Sequence, residues 1–353
     1  MQILNHNLIV NHKCNMNCEY CYVKNKNEES LDIKTANKII DFALSNSGEK
    51  ININFISTEP LLDFDLIKEI IIYAEEKARH DKTISFSIYT NGLLIDSQKC
   101  RFFREHEIKL FISYDGKKSN SRLNYRIMRG IKTAFSEGVD FDLVTTITKK
   151  NINDWKNIMR IYIKFKRKRI IFRKANFFGA GKPSIFLDSK QYISFWERYL
   201  QHLFKINSRK ISIGDATLMT FASKILNLKN AFAQCSSPYC KAFKTFIIYD
   251  CDGTILPCDE ARNFKNEFKL GSVLERMPLK IPSYYERQNN PSCLRCNIDW
   301  CGSCPVYVYA NFKSKTKNFE DDLCIFYKEG EKVTKTLLSS KNKKIILGWL
   351  SNC

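Results

Sequence analysis

The sequence predicts an α/β protein in which parallel strands alternate with crossover helices, followed by a small cysteine-rich segment. Two observations carry that expectation. Strand-like and helix-like stretches alternate about six times between Ile3 and Lys174, and nine of the fourteen cysteines fall between Cys235 and Cys324. Alternation of this kind builds a parallel sheet, closed into a barrel or left open, with its site at the carboxyl ends of the strands. At 353 residues the chain has room for two domains, or for one barrel with an appendage.

Periodicity and end signals give the elements in order. Ile3 to Val10 reads as a strand, and Asp32 to Ser47 has the apolar spacing of a helix. Ile51 to Ile56 alternates apolar with polar residues and stops at Ser57-Thr58-Glu59-Pro60. Phe64 to Arg79 is helical, Ile84 to Tyr89 is a strand ending in Thr90-Asn91-Gly92, and Ser97 to Glu107 is helical again. Lys109 to Tyr114 is a strand ending in Asp115-Gly116, and Arg126 to Glu137 is a helix. Phe141 to Thr148, Asn153 to Lys166 and Arg169 to Lys174 then give strand, helix and strand. Gln191 to Lys205 and Ala216 to Leu228 read as helices bridging to the cysteine-rich segment. Polar or turn-forming groups thus stand where several strands end.

Cys14, Cys18 and Cys21 are separated by three residues and then two, so one loop can turn all three sulfurs toward a single soft metal centre. A four-iron cluster needs four ligands, and a loop with three leaves one iron open to a substrate or cofactor. The spacing also allows a zinc site with a distant fourth ligand, or three buried thiols. Nothing reads as a signal peptide or reaches transmembrane length, so a reducing cytoplasm is expected, where cysteines favour metal over disulfides. The formal charge of +20, with basic runs at Lys164 to Arg169 and Lys341 to Lys344, favours an anionic partner.

Together these motifs resemble the radical SAM enzymes, in which a partial (β/α)6 TIM-like barrel carries a [4Fe-4S] cluster on a CxxxCxxC loop and S-adenosylmethionine binds the open iron. The resemblance makes Cys14, Cys18 and Cys21 the ligands of that cluster. Ser57-Thr58-Glu59-Pro60 stands where the family has Gly-Gly-Glu-Pro; it lacks both glycines and keeps Glu59, the expected partner of the methionine ammonium. Tyr20 matches the aromatic position near adenine, and Asn91, Ser113 and Asp115 match strand-end motifs near the cofactor. Arg126, with Arg122 as its rival, is expected at the methionine carboxylate.

From Cys235 onward the cysteines resemble the SPASM extension of this family, a small domain with two auxiliary [4Fe-4S] clusters. The resemblance implies Cys235, Cys240, Cys258 and Cys304 for the first cluster, and Cys293, Cys296, Cys301 and Cys324 for the second. The spacings from Cys296 to Cys301 and from Cys301 to Cys304 are each one residue shorter than the family pattern. The implied boundaries are 1–185 for the barrel, 186–232 for bridging helices, 233–330 for the SPASM auxiliary-cluster domain and 331–353 for a basic C-terminal tail. Asp259, directly after Cys258, matches an acid that accepts a proton in relatives that oxidise a Cys or Ser side chain of sulfatases; a solvated acid or helix cap is the other reading.

The function implied is radical formation from S-adenosylmethionine and hydrogen abstraction from a precursor peptide or protein, acidic to suit the basic surface. Crosslink, thioether or epimer formation would follow, with flavodoxin or ferredoxin as the low-potential electron donor. Oxidation of a sulfatase side chain to formylglycine, or of a small alcohol, is the alternative. A zinc-containing basic protein that binds nucleic acid is a remote one, since no nucleic-acid module is recognisable. No membrane partner is expected.

Overall fold

The computed structural model describes residues 4–24, 26–78, 82–117, 124–175, 181–207, 212–228, 245–275, 296–298, 301, 304–314 and 319–351. Strands β1 (Asn5–Leu8), β2 (Lys50–Phe55), β3 (Thr83–Thr90), β4 (Lys109–Ser113) and β5 (Phe141–Ile147) lie side by side and parallel. Helices α1 (Ile33–Asn46), α2 (Phe64–Lys77), α3 (Ser97–Glu105), α4 (Asn124–Ser136) and α5 (Trp155–Lys164) make the crossovers. Two begin at aspartate caps, where Asp32 and Asp96 accept the amides of Thr35 (3.0 Å) and Lys99 (2.8 Å). These elements agree with the sequence reading to within a few residues at their ends.

The stretch Arg169 to Lys174, expected as one strand, divides at Ile171 into β6 (Arg169–Ile170) and β7 (Phe172–Lys174). β7 completes the parallel series beside β5, whereas β6 pairs with the short strand β8 (Gly214–Asp215). The Ile171 carbonyl takes the Thr145 amide (2.9 Å) and the Tyr162 hydroxyl (3.2 Å) at the divide. Arg169 holds on to β5 by its side chain, 2.8 Å from Asp142.

Each strand has one apolar face under the helices; Ile51, Ile53, Phe55, Ile88, Leu110 and Ile112 are fully buried there. The opposite face is polar and internally bonded. Ser87 donates to Asn54 (2.6 Å), Asn54 to Asn7 (3.0 Å), and Asn7 to the Ile247 carbonyl (3.1 Å). Ser85, Asn52 and Asn5 repeat the ladder two residues earlier, ending on the Thr245 carbonyl. Higher on this face Tyr89 stacks on Phe111 with centroids 4.4 Å apart. The alternation that marked these strands in sequence therefore lines the inside of the barrel with amides and hydroxyls.

After helices α6 (Ser189–Asn207) and α7 (Ala216–Ile225) the chain returns to the sheet. β9 (Phe246–Tyr249) pairs parallel with the free side of β1, and β10 (Thr254–Leu256) and β11 (Gly271–Ser272) extend it antiparallel. The result is one nine-stranded sheet in the order β11-β10-β9-β1-β2-β3-β4-β5-β7. The sheet thus runs from the barrel into the stretch expected to form a separate auxiliary domain.

The short helix α8 (Lys265–Phe268) is followed by α9 (Pro305–Ser314), α10 (Phe319–Leu338) and α11 (Lys343–Ser351). The tail expected at 331–353 differs from what is found: α10 runs through its first residues, and both last helices are packed. Asp322 accepts Lys174 and the Ser189 amide, each at 2.6 Å. A Cβ at Gly330 would come within 2.6 Å of the Phe221 ring, and Trp349 stacks on Phe204 at 5.4 Å. Lys343 and Lys344 of the basic run share their helix with buried Ile346 and Trp349. No helix among the described residues is long and apolar enough to cross a membrane.

Helix α4 is seated on the end of β3 by two glycines. Gly92 turns with φ at +79°, and a Cβ at Gly130 would lie 2.2 Å from the Gly92 carbonyl oxygen. Gly130→Ala is expected to destabilise the protein by about 1–3 kcal/mol, read as a lowered melting temperature, because backbone stands where the methyl would go. An unchanged melting temperature would contradict that close approach.

Candidate active site

The loop from Cys14 to Cys21 leaves the end of β1 and is fastened by its own neighbours. The Ser57 hydroxyl accepts the amides of Val10 (2.6 Å) and Asn11 (3.2 Å). Lys26 donates to the Met16 carbonyl (2.9 Å), Lys182 donates its amide to the Glu19 carbonyl (2.7 Å), and Asn91 reaches from the end of β3 to Asn15 (2.7 Å). Cys14, Cys18 and Cys21 are each half-buried on this one loop. Burial, reinforced by the Asp115 carboxylate, pushes Cys18 up to about 11; burial likewise raises Cys14. Three thiols gathered on one loop suit a metal centre that displaces their protons, and the Met16 amide points at the Cys14 sulfur (3.4 Å). The donor set fits an iron–sulfur cluster.

Glu59 is completely buried at the end of β2. Its Oε1 accepts the Thr90 hydroxyl (2.7 Å) and the Leu61 amide (3.1 Å), and its Oε2 accepts the Asn91 amide (2.7 Å). Burial raises its pKa to about 7 in spite of those donors. Asp115 is the counterpart at the end of β4: it accepts the Tyr20 hydroxyl and the Thr146 amide (2.7 Å), and burial pushes it up to about 6. Tyr20 also packs beside Ala175, Ile185 and Phe186. The structure therefore brings Tyr20, Glu59, Asn91 and Asp115 together with the cysteine loop. Ser113 lies at the end of β4, its hydroxyl bonded to no other protein group among the described residues. Arg126 is exposed one turn before Gly130 and pairs with no carboxylate among the described residues; Arg122 lies outside them.

Of the cysteines expected to hold auxiliary clusters, Cys258, Cys296, Cys301, Cys304 and Cys324 are half-buried, and Cys258 and Cys304 pack on the main core. Cys235, Cys240 and Cys293 lie outside the described residues. Asp259 opens a 3-10 helix (Asp259–Phe264) directly after Cys258. Its carboxylate accepts the hydroxyl of Tyr22, the residue after Cys21, and Arg262 (3.4 Å). Burial raises Asp259 to about 7, with Arg262 opposing and Glu260 assisting.

Several groups here escaped the sequence reading. Tyr22 and Asn263 tie the cysteine loop to the 3-10 helix, the Asn263 amide reaching the Tyr22 carbonyl at 2.9 Å. His12, Asp250 and Cys251 bring metal-ligating atoms within 4.8 Å of one another. All three are already bonded within the protein. His12 Nε2 bonds Asp250 (2.7 Å), Lys265 bonds the other Asp250 oxygen (2.5 Å), and the Cys251 thiol donates to the Ile9 carbonyl (3.2 Å). No spacing signals such a network, because its partners are 238 residues apart in sequence.

Comparison with known proteins agrees with this geometry. Residues 8–162 match the Radical SAM superfamily, whose members use a [4Fe-4S] cluster and S-adenosylmethionine. An uncharacterised protein of Methanocaldococcus jannaschii is 34% identical over 174 residues, which is 47% of this chain and 60% of that one. A cysteine-type anaerobic sulfatase-maturating enzyme of Clostridium novyi is 25% identical over 74% of each chain. Among solved structures, anSMEcpe with bound AdoMet and the Cp18Cys peptide superposes with a TM-score of 0.77 at 15% identity, over 96% of this chain and 99% of that one. Streptococcus suis SuiB bound to its precursor peptide SuiA gives 0.68 at 18% identity, over 90% and 74%. These two show a shared fold, and both were solved with peptides bound.

The buried Glu59 makes stability depend on pH. Its pKa of 4.5 in an unfolded chain rises to about 7 in the fold, so the folded state binds its proton more tightly. That contribution is complete below about pH 4.5 and is lost as pH rises through about 7, a change on the order of 3 kcal/mol. Glu59→Gln should flatten this slope in melting temperatures measured between about pH 5 and pH 8.

Proposed function

Residues 8–162 are a radical SAM domain, and we propose that this enzyme takes a hydrogen atom from a peptide substrate and so installs a post-translational crosslink, thioether or epimer. The grouping of Cys14, Cys18 and Cys21 with Glu59, Asn91 and Asp115 at the strand ends carries the reading. The three cysteines would hold the [4Fe-4S] cluster with one iron open. With S-adenosylmethionine bound and an electron from a flavodoxin or ferredoxin, that centre supplies a 5′-deoxyadenosyl radical able to attack an unactivated carbon. The eight cysteines implied above, from Cys235 to Cys324 but without Cys251, would hold two auxiliary clusters, whose chemistry is to take up an electron released by the substrate.

The protein's own groups bind, orient and exclude water. Glu59 fixes the turn at Asn91 beside which the methionine ammonium would lie. Arg126, exposed on the helix seated against that turn, serves the methionine carboxylate, and Ser113 offers its hydroxyl on the neighbouring strand. Tyr20, held by Asp115, walls the adenine side. The polar barrel lining and the Tyr89–Phe111 pair form the floor beneath a peptide entering at the strand ends. The surplus of lysine and arginine draws an acidic peptide.

Replacing Cys14, Cys18 and Cys21 together by alanine is expected to remove about four irons per chain and to reduce 5′-deoxyadenosine formation to background after anaerobic reconstitution. Iron analysis and chromatography check this. Zinc in place of iron, or cleavage that survives the substitution, would sink the proposal.

One observation favours a second reading, oxidation of a sulfatase-type cysteine. Asp259, beside Cys258 and held by Tyr22 and Arg262, is placed to take a proton as the substrate loses a hydrogen atom and an electron. A cysteine-type sulfatase-maturating relative matches three-quarters of the chain. Asp259→Asn should then lower oxidation of a synthetic cysteine peptide by about 10²- to 10⁴-fold with 5′-deoxyadenosine still formed. Unchanged product mass and yield would remove Asp259 from the chemistry.

A further inference from the structure

Arg262 lies one turn beyond Asp259 in the same 3-10 helix, with only 3% of its side chain exposed. A guanidinium so buried needs acceptors on several sides, and it finds them on three separate stretches of chain. It donates to Asp259 Oδ1 (3.4 Å), to His12 Nδ1 (3.2 Å) and to the Thr58 hydroxyl (3.4 Å). His12 lies between β1 and Cys14; Thr58 directly precedes Glu59.

The partners are themselves fixed. A guanidinium can only donate, so His12 receives it on an unprotonated Nδ1, and the ring proton sits on Nε2, facing Asp250 at 2.7 Å. Asp250 is in turn clamped by Lys265, which also reaches Asp252 (2.9 Å). Arg262 is thereby locked against the ends of β1, β2 and β9 together. Thr58 occupies a place where the resembling family has glycine, and glycine would offer no hydroxyl to the guanidinium. The other oxygen of Asp259 is held by Tyr22, at the far end of the cysteine loop.

We propose that Arg262 is a positioning residue that holds the Asp259 carboxylate in register with the Cys14–Cys21 loop and the Glu59 strand end, so that the radical-forming and proton-accepting sides of the site keep a fixed spacing. This rests on the reading of Asp259 as proton acceptor. A misplacement of about 1 Å at such a carboxylate costs up to 10²-fold in rate without harming steps that do not use it.

The test uses the full chain, reconstituted anaerobically and reduced with dithionite, with the synthetic cysteine peptide as probe. Iron content, peptide-free cleavage of S-adenosylmethionine and the ratio of oxidised peptide to 5′-deoxyadenosine are measured. Arg262→Gln should retain iron and peptide-free cleavage while the ratio falls about 10- to 100-fold. Arg262→Lys should recover part of the ratio, and Thr58→Gly should lower it by less. Iron or peptide-free cleavage falling in step with product in Arg262→Gln would mean a merely structural role and overturn the proposal. A wild-type ratio in Arg262→Gln beside a collapsed one in Asp259→Asn would overturn the positioning role alone. A wild-type ratio in Asp259→Asn would remove the proton-acceptor reading on which it rests.

Discussion

The buried carboxylate of Glu59 is the point on which the site depends. A charge-bearing group with no exposed surface is tolerated only where donors meet it, and here they come from its own turn and from the end of β3. By taking the Asn91 amide it fixes the turn whose side chain holds Asn15, and so the cysteine loop. The carboxylate, the turn and the thiols form one chain of contacts across β1, β2 and β3. Removing the carboxylate would leave the Thr90 hydroxyl and the Asn91 amide short of an acceptor in the interior, a cost that falls on the loop as well as on the strand ends.

The sheet shows how one alternating pattern serves two purposes. Isoleucines and phenylalanines on one face supply the burial that holds α1 to α5 in place, while asparagines and serines on the other bond one another across strands. Each inner amide is satisfied laterally, so the face can stay polar without collapsing or demanding a helix to cover it. That leaves a wettable interior below the cysteine loop, bounded higher up by the Tyr89–Phe111 pair.

Much of the barrel could be read from sequence because its determinants are local: period, caps such as Asp32 and Asp96, and the turn pairs Asn91-Gly92 and Asp115-Gly116. The cysteine loop and the strand-end acids were legible for the same reason, each being a short motif after a strand. What escaped was whatever depends on distant partners. Nothing near Arg169 announces that its strand will change neighbours, and nothing near Lys343 says that Trp349 will find Phe204. The substitution of Ser57-Thr58 for two glycines read as a loss, yet both hydroxyls are employed: Ser57 on the amides after β1, and Thr58 on Arg262.

The placement of β9 beside β1 has a consequence for the order of assembly. β1 precedes the other described strands, yet one of its edges is covered by residues 246–249. During synthesis the strand that carries the cysteine loop must wait, half paired, until residues 240 positions further along have emerged. Its apolar groups and its unsatisfied edge are a hazard in that interval, and contacts of such long sequence separation form slowly. The same delay keeps Tyr22 and the cysteine loop apart from Asp259 and Arg262 until the sheet closes. The cysteine loop and the 3-10 helix Asp259–Phe264 come together in a single late event.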